Sequence, residues 1–353
     1  MLLAGCSGTQ ATNPGAGRTS GSGSSTSAAS SSDGRTFTNP VLGQGADPFV
    51  TVVKGRYYYV QSASGGNGVS LRSSTSLATL GDAPERKIFT GGGTAPCCEY
   101  WAPELHRIGA SWYVYVAADD GDNAHHRTYV LKAAAITGPY AFAGELRLPA
   151  NRWAIDATIL PATHGAPYVL WSGWPGAANG EQDIYISRLA TPTRTTGPRV
   201  RLSRPQFGWE QHAGTVGVEV NEGPAVLKRG GKIYVTYSGS GCWTPDYALG
   251  LLSANASSNL LDPSSWHKSV NPVFHGGSAS GEYGTGHNSF FTSPDGRQTW
   301  IVYHAVTTAG GSCGADRQVY AQPITFAADG SPQLGTPSGE HKRLPLPSGD
   351  PGH

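Results

Sequence analysis

The chain has 353 residues, a formal net charge of +1 and a hydrophobic fraction of 38%. That charge excludes the basic excess by which proteins hold nucleic acid or an anionic membrane surface, and no apolar run is long enough to span a bilayer. With 49 Gly, 25 Pro, 16 Tyr and 9 Trp against one Met, the composition is that of a rigid, turn-rich all-β protein. Aromatic side chains in such number also suit sugar binding, because their faces stack on C–H surfaces.

At the N-terminus, Leu3-Ala4-Gly5-Cys6 resembles a bacterial lipobox, the end of a lipoprotein signal. The resemblance implies cleavage before Cys6 and a lipid on its thiol, although the basic segment and most of the apolar stretch that usually precede the motif are not in the sequence. Residues 7–35, with Ser20-Gly21-Ser22-Gly23-Ser24-Ser25, cannot build a core and read as a flexible linker. Residues 1–6 as a truncated lipoprotein signal and 7–35 as a linker describe an extracellular domain tethered to the bacterial membrane through Cys6, or a secreted one.

From residue 36 to about 350 one pattern recurs five times. An apolar run meets a Gly-containing turn and a second run rich in Tyr, Trp, Val and Ile, which is a β-hairpin signature. The instances are Asp47–Val53 with Tyr57–Val60, Ala102–Ile108 with Trp112–Val116, Ile155–Leu160 with Tyr168–Trp171, Asn221–Leu227 with Ile233–Tyr237, and His287–Phe291 with Trp300–His304. Their turn glycines, Gly55, Gly109, Gly165, Gly231 and Gly296, recur about every 55 to 65 residues, the length of a four-stranded blade with its loops. The expected fold is all-β, a single five-bladed β-propeller over residues 36–350.

Each first run opens on a polar residue: Asp47, Glu104, Asp156, Glu222 and His287. In a propeller the innermost strands line the central channel, so equivalent positions at their starts converge on one mouth. A ring of acids there raises its own pKa values by mutual repulsion, which structure alone does not call for. Turn or cap duty explains any one of them but not all five.

Cys97, Cys98, Cys242 and Cys313 follow the linker, and export places them where disulfides form. Four cysteines allow three connectivities. Cys97–Cys98 with Cys242–Cys313 is preferred, with free buried thiols at 97 and 98 as the alternative; no spacing resembles a zinc site.

The stretches Ala46-Asp47-Pro48-Phe49, Tyr100-Trp101-Ala102-Pro103-Glu104, Ile155-Asp156-Ala157, Asn221-Glu222-Gly223-Pro224 and Gly286-His287-Asn288 together resemble glycoside hydrolase family 43 over nearly the whole chain after the linker. The resemblance implies that Asp47 is the general base, Glu222 the general acid and Asp156 the carboxylate that raises the acid's pKa. It implies His287 on the pocket floor beside a central ion, Ca²⁺, and Arg317 closing the ring from the last sheet. Phe49, Trp101 and Trp174 are candidate sugar platforms; Glu104 and Asn221 complete the candidate substrate-binding set. Inverting hydrolysis needs one protonated and one ionised carboxyl group, roughly 6.5–9.5 Å apart so that a water fits between, and acids on opposite blades suit that gap.

Trp171-Ser172-Gly173-Trp174, Gly197-Pro198-Arg199-Val200, Phe207-Gly208-Trp209-Glu210 and Ala321-Gln322-Pro323-Ile324 with Asp329-Gly330 are similar to exo-acting α-1,5-L-arabinofuranosidases within that family. The expected activity is release of terminal L-arabinofuranose from plant cell-wall arabinan or arabino-oligosaccharides by a monomer with no nucleic-acid partner. A β-xylosidase or endo-arabinanase on the same scaffold, or a sugar-binding propeller without catalysis, are the alternatives.

Overall fold

The computed structural model describes residues 34–162 and 165–353. Cys6, the tract up to residue 33 and His164 of the third turn lie outside the described residues. Helix is limited to four short 3-10 turns among the described residues; the rest of the regular structure is β.

The strands form five antiparallel four-stranded meanders. Sheet one contains Phe49–Val53, Arg56–Ser62, Gly68–Ser74 and Arg86–Thr90; sheet two contains Cys98–Ile108, Ser111–Asp119, Arg127–Ala133 and Ala141–Glu145. Sheet three contains Ala154–Leu160, Tyr168–Gly173, Glu181–Thr191 and Arg194–Ser203. Sheet four contains Glu219–Arg229, Lys232–Gly239, Ala248–Asn255 and Trp266–Lys268; sheet five contains Tyr283–Thr292, Thr299–Val306, Gln318–Phe326 and Pro332–Gln333. Each of the five expected hairpins joins the first two strands of one sheet. All five turn glycines have positive φ, the conformation that glycine adopts at least cost.

The second strands are buried on both faces, and their period of two sorts side chains between two neighbours. In Ser111–Asp119, Val114, Val116 and Ala118 pack with Val60, Val69 and Leu71 of sheet one, while Tyr113 and Tyr115 pack with Val169, Trp171 and Tyr185 of sheet three. The same division recurs throughout. One apolar cluster lies between sheets three and four, one between four and five, and one between five and one. A fully buried Val, Leu, Ile or Phe contributes about 1.5–3 kcal/mol, so these interfaces hold the sheets together.

The first strand of each sheet touches that of the next, and the fifth touches the first. The N-terminal segment ties the last sheet to the first: Thr36–Thr38 pairs with Arg343–Pro345, and Leu42 bridges to Val319. Buried Asn39 donates to the Ala321 carbonyl at 2.9 Å and accepts the Ala321 N–H at 3.0 Å, acting as a strand partner with its side chain.

The first strands are irregular where the sequence is most polar. Asp47, Asp156 and His287 have φ of +47°, +55° and +41°, and Glu222 is followed by Gly223 at +56°. Pairing slips between Ile155 and Thr158, between Glu222 and Ala225, and between Gly286 and Ser289. Such bulges and left-handed residues cost stability and re-aim side chains out of the strand's alternation.

Candidate active site

The left-handed residue Asp47 and the bulges at Asp156, Glu222 and His287 bring these four onto one pocket of about 860 Å³, whose wall also includes Arg317, Trp101, Trp153 and Trp243. Arg317 Nη1 donates to Asp47 Oδ1 at 2.9 Å, and His287 Nδ1 lies 3.4 Å from the same oxygen. The Asp47 N–H reaches His304 Nδ1 at 3.1 Å, and that nitrogen is also 3.2 Å from Asp47 Oδ1. It serves one of these partners at a time, as acceptor from the amide or donor to the carboxylate. Burial pushes the Asp47 carboxyl up, but the Arg317 charge, His287 and the His304 hydrogen bond outweigh it and hold the group well below the usual carboxylate range. His304, itself pushed down to about 4 chiefly by burial, is a neutral ring at pH 7.

Across the pocket the carboxyls behave oppositely. Asp156 is pushed up by burial and by the charges of Glu222 and Asp47, against the pull of His287 and of the Gly223 N–H, which donates to its Oδ2 at 3.0 Å. Glu222 is pushed up by burial and by Asp47, against His287, Arg317 and the Tyr247 hydroxyl, which donates to its Oε1 at 2.8 Å. Burial and neighbouring negative charge thus push both carboxyls above the usual carboxylate range. Glu222 is the more exposed of the two, and its Oε2 has no hydrogen-bond partner among the described residues.

His287 holds the centre. Its N–H donates to Ser238 Oγ at 2.8 Å. Burial pushes its ring pKa down, but Asp47, Asp156, Glu222 and Glu104 together hold it above its usual value. The ring lies so close to residue 223 that a Cβ there would sit 3.1 Å from His287 Cγ; with the positive φ, this position calls for glycine.

Four sequence-derived candidates lie elsewhere. Glu104 pairs with Tyr115 and its Oε2 meets His106 Nε2 at 2.7 Å; it is not on the pocket wall, although its charge still acts on His287. The second sheet presents Trp101 instead, at the irregular pairing between Cys98 and Glu104. Phe49 packs on His106 at 5.1 Å within the core between sheets one and two. Trp174 stacks behind the wall residue Trp153 at 4.9 Å, supporting it rather than facing the pocket. Asn221 is fully buried and joins Ser203 to Glu210.

Three contributors escaped the sequence reading. His304 lies inside the otherwise apolar strand Thr299–Val306 and sits in register with Gly286, beside His287; a polar residue within such a run was the available signal. Tyr247 comes from a loop and carries no motif. Trp153 precedes Ala154–Leu160 with its indole N–H on the Asn123 carbonyl.

Both preferred disulfides are present: Cys97–Cys98, and Cys242–Cys313, which lines the pocket. No three direct metal ligands converge on His287. Among the described residues, the three-residue group with donor atoms within 4.8 Å is Glu99, Asp119 and His126. The carboxylates around His287 are the hard oxygen donors that a hydrated hard cation takes.

An arginine-paired carboxylate in one pocket with two carboxyls pushed above the usual range matches the carboxylate equipment of a glycoside hydrolase. The sequence profile described as glycosyl hydrolases family 43 matches residues 37–332, and the chain belongs to that family. It is 36% identical over 312 residues to an extracellular exo-α-(1→5)-L-arabinofuranosidase of Streptomyces avermitilis, covering 86% of this chain and 64% of that one. It is 39% identical over 276 residues to a protein of the same description from Streptomyces chartreusis, covering 76% of this chain and 82% of that one. The crystal structure of an α-L-arabinofuranosidase from Lactobacillus brevis superposes with a TM-score of 0.79 at 31% identity, covering 87% of this chain and 98% of that one. The chain thus spans just under two thirds of the S. avermitilis relative.

Proposed function

We propose that the chain is an inverting exo-α-L-arabinofuranosidase that releases terminal L-arabinofuranose from arabinan or arabino-oligosaccharides. The observation that carries this reading is that Asp47, bonded to Arg317, shares one pocket with Glu222 and Asp156, whose carboxyls burial pushes up. Asp47 is the general base that activates water, and Glu222 is the general acid that protonates the leaving oxygen through Oε2. Asp156 keeps Glu222 protonated by repulsion. Trp101 and Trp153 offer aromatic faces to the sugar. The ring of pairwise sheet contacts, with a core between each neighbouring pair, supports a closed five-bladed propeller as the scaffold.

Incubation with linear arabinan, sugar-beet arabinan, arabinoxylan and xylobiose, with products resolved by chromatography, tests the substrate. Arabinose alone from arabinan supports the reading. Xylose from xylobiose, or arabinan oligomers released first, would move it to the xylosidase or endo-arabinanase alternatives. No product from any of them, with binding retained, would leave a sugar-binding protein.

Two further features belong to the proposal. A water-shelled Ca²⁺ near His287 would balance the carboxylates, and exhaustive chelation should then lower the melting temperature. Membrane tethering through Cys6 is supported by the lipobox and the tract after it, and Cys6→Ser expressed behind a full signal should move the enzyme from the membrane fraction to the medium. The two Streptomyces relatives are described as extracellular. No helix of the described residues is long and apolar enough to cross a membrane.

A further inference from the structure

Tyr247 and Arg317 occupy corresponding places in neighbouring sheets. Each is the residue just before a third strand, Ala248–Asn255 in sheet four and Gln318–Phe326 in sheet five. Each donates to a pocket carboxylate, Tyr247 to Glu222 at 2.8 Å and Arg317 to Asp47 at 2.9 Å. The loops that lead to them, 240–247 and 307–317, are joined by the Cys242–Cys313 disulfide. They also meet backbone to backbone, since a Cβ on Gly311 would fall 2.2 Å from the Thr244 carbonyl carbon. Within the five residues from Cys313 to Arg317, Arg317 Nε donates to the Gly314 carbonyl at 3.2 Å and the Arg317 N–H reaches the same carbonyl. Their far end is held by the first sheet's approach segment, where the Gly45 N–H donates to the Arg317 carbonyl at 2.9 Å.

We propose that the Cys242–Cys313 disulfide is a positioning element of the catalytic site, holding the two loops together so that Arg317 meets Asp47 while Tyr247 meets Glu222. The proposal rests on the assignment of Asp47 as base and Glu222 as acid. The groups that act on Asp47 are Arg317, His287 and His304, with Glu222, Asp156 and the hydroxyls of Tyr59 and Tyr247 nearby. Of the cationic groups, Arg317 alone rides on the bridged loops. Opening the bridge leaves Arg317 anchored mainly through its backbone, so its guanidinium spends less time on Asp47. Asp47 then protonates at higher pH, and because the base must be ionised, the acid limb of kcat/KM moves up. An opposite charge this close lowers a carboxyl by about 1–3 pH units.

The test is the pH dependence of kcat/KM on an aryl arabinofuranoside for C242S/C313S, Arg317→Gln, their combination and C97S/C98S. Arg317→Gln should raise the acid limb by about 1–3 units. C242S/C313S should raise it in the same direction by no more than that, and the combination should add nothing to Arg317→Gln alone. C97S/C98S should leave the limb in place. If C242S/C313S does not fold, C97S/C98S retains one bridge, and its profile is measured before and after dithiothreitol. The reagent closes to its cyclic disulfide as the two thiols form, and the limb should rise on reduction and return on reoxidation. An unmoved limb after loss of the bridge, or a shift additive with that of Arg317→Gln, overturns the proposal. An unmoved limb in Arg317→Gln itself removes the base assignment, and the proposal falls with it.

Discussion

Arg317 Nη1 stands 2.9 Å from Asp47 Oδ1 across 270 residues of sequence, so one ion pair both joins the last sheet to the segment opening the first and sets the charge of a pocket carboxylate. The same pocket holds two further acids, Asp156 and Glu222, whose carboxyls are pushed up. The division of labour follows from surroundings: a guanidinium and an imidazole beside Asp47, burial and neighbouring negative charge at Asp156 and Glu222.

The nature of the leaving group should separate the acid from the base. Glu222→Ala is expected to lose about 10²–10⁴-fold in kcat on arabino-oligosaccharides, whose alcohol needs a proton to depart. It should lose far less on an aryl arabinofuranoside with an acidic phenol. Asp47→Ala should lose activity alike on both, since water activation is required whatever leaves. If Asp47→Ala is the variant spared on the aryl substrate, the two roles are reversed.

Asp156 should act on the basic limb. Like charges raise one another's pKa, so replacing Asp156 with Asn removes a charge that keeps Glu222 protonated. Glu222 then loses its proton at lower pH, and the basic limb of kcat moves down. A pH–rate profile of Asp156→Asn with that limb unmoved or raised contradicts the role.

Asn39 latches the N-terminal segment to the last sheet: it is 1% exposed and saturates both backbone groups of Ala321 as well as reaching Ser338 Oγ at 2.8 Å. Asn39→Ala leaves a buried N–H and carbonyl unpaired, at about 1–3 kcal/mol each. Urea unfolding should show a loss on the order of 2–5 kcal/mol. A change below half a kcal/mol would mean that water or a neighbouring strand replaces the latch.

Glu282 gives the fold a pH dependence unrelated to catalysis. It is fully buried, accepts the Tyr303 hydroxyl at 2.8 Å, and is pushed up to about 7 by burial over the opposing hydrogen bonds from Tyr303 and Gly339. A carboxyl raised on folding contributes its stability in full below its unfolded pKa and loses it as pH rises through the folded one. At about 1.4 kcal/mol per unit, wild type should lose on the order of 3 kcal/mol relative to Glu282→Gln between roughly pH 4.5 and 7. Parallel stability curves for the two proteins would rule this out.

The repeating hairpins were legible because local chemistry specifies them: apolar runs of period two and a glycine at each positive-φ turn. Asp47, Asp156, Glu222 and His287 were legible for the same reason, as polar residues interrupting buried strands. Glu104 looked equivalent, but nothing in its neighbourhood announced that Trp101 sits at the bulge or that His106 would take up the carboxylate. Phe49 and Trp174 show the same limit, because an aromatic residue next to a motif packs inward as readily as outward. Tyr247 was invisible because it reaches Glu222 from the loop between the second and third strands of the same sheet, and His304 because it lies within a strand that otherwise reads as core.

Proton NMR during the first turnovers on an α-L-arabinofuranoside tests the central claim most directly. A base that activates water and an acid that protonates the leaving oxygen, acting on opposite faces of the sugar, require inversion, so the β-anomer of arabinose should appear first and then mutarotate. The α-anomer appearing first would show a covalent intermediate and contradict the assignment of Asp47 and Glu222.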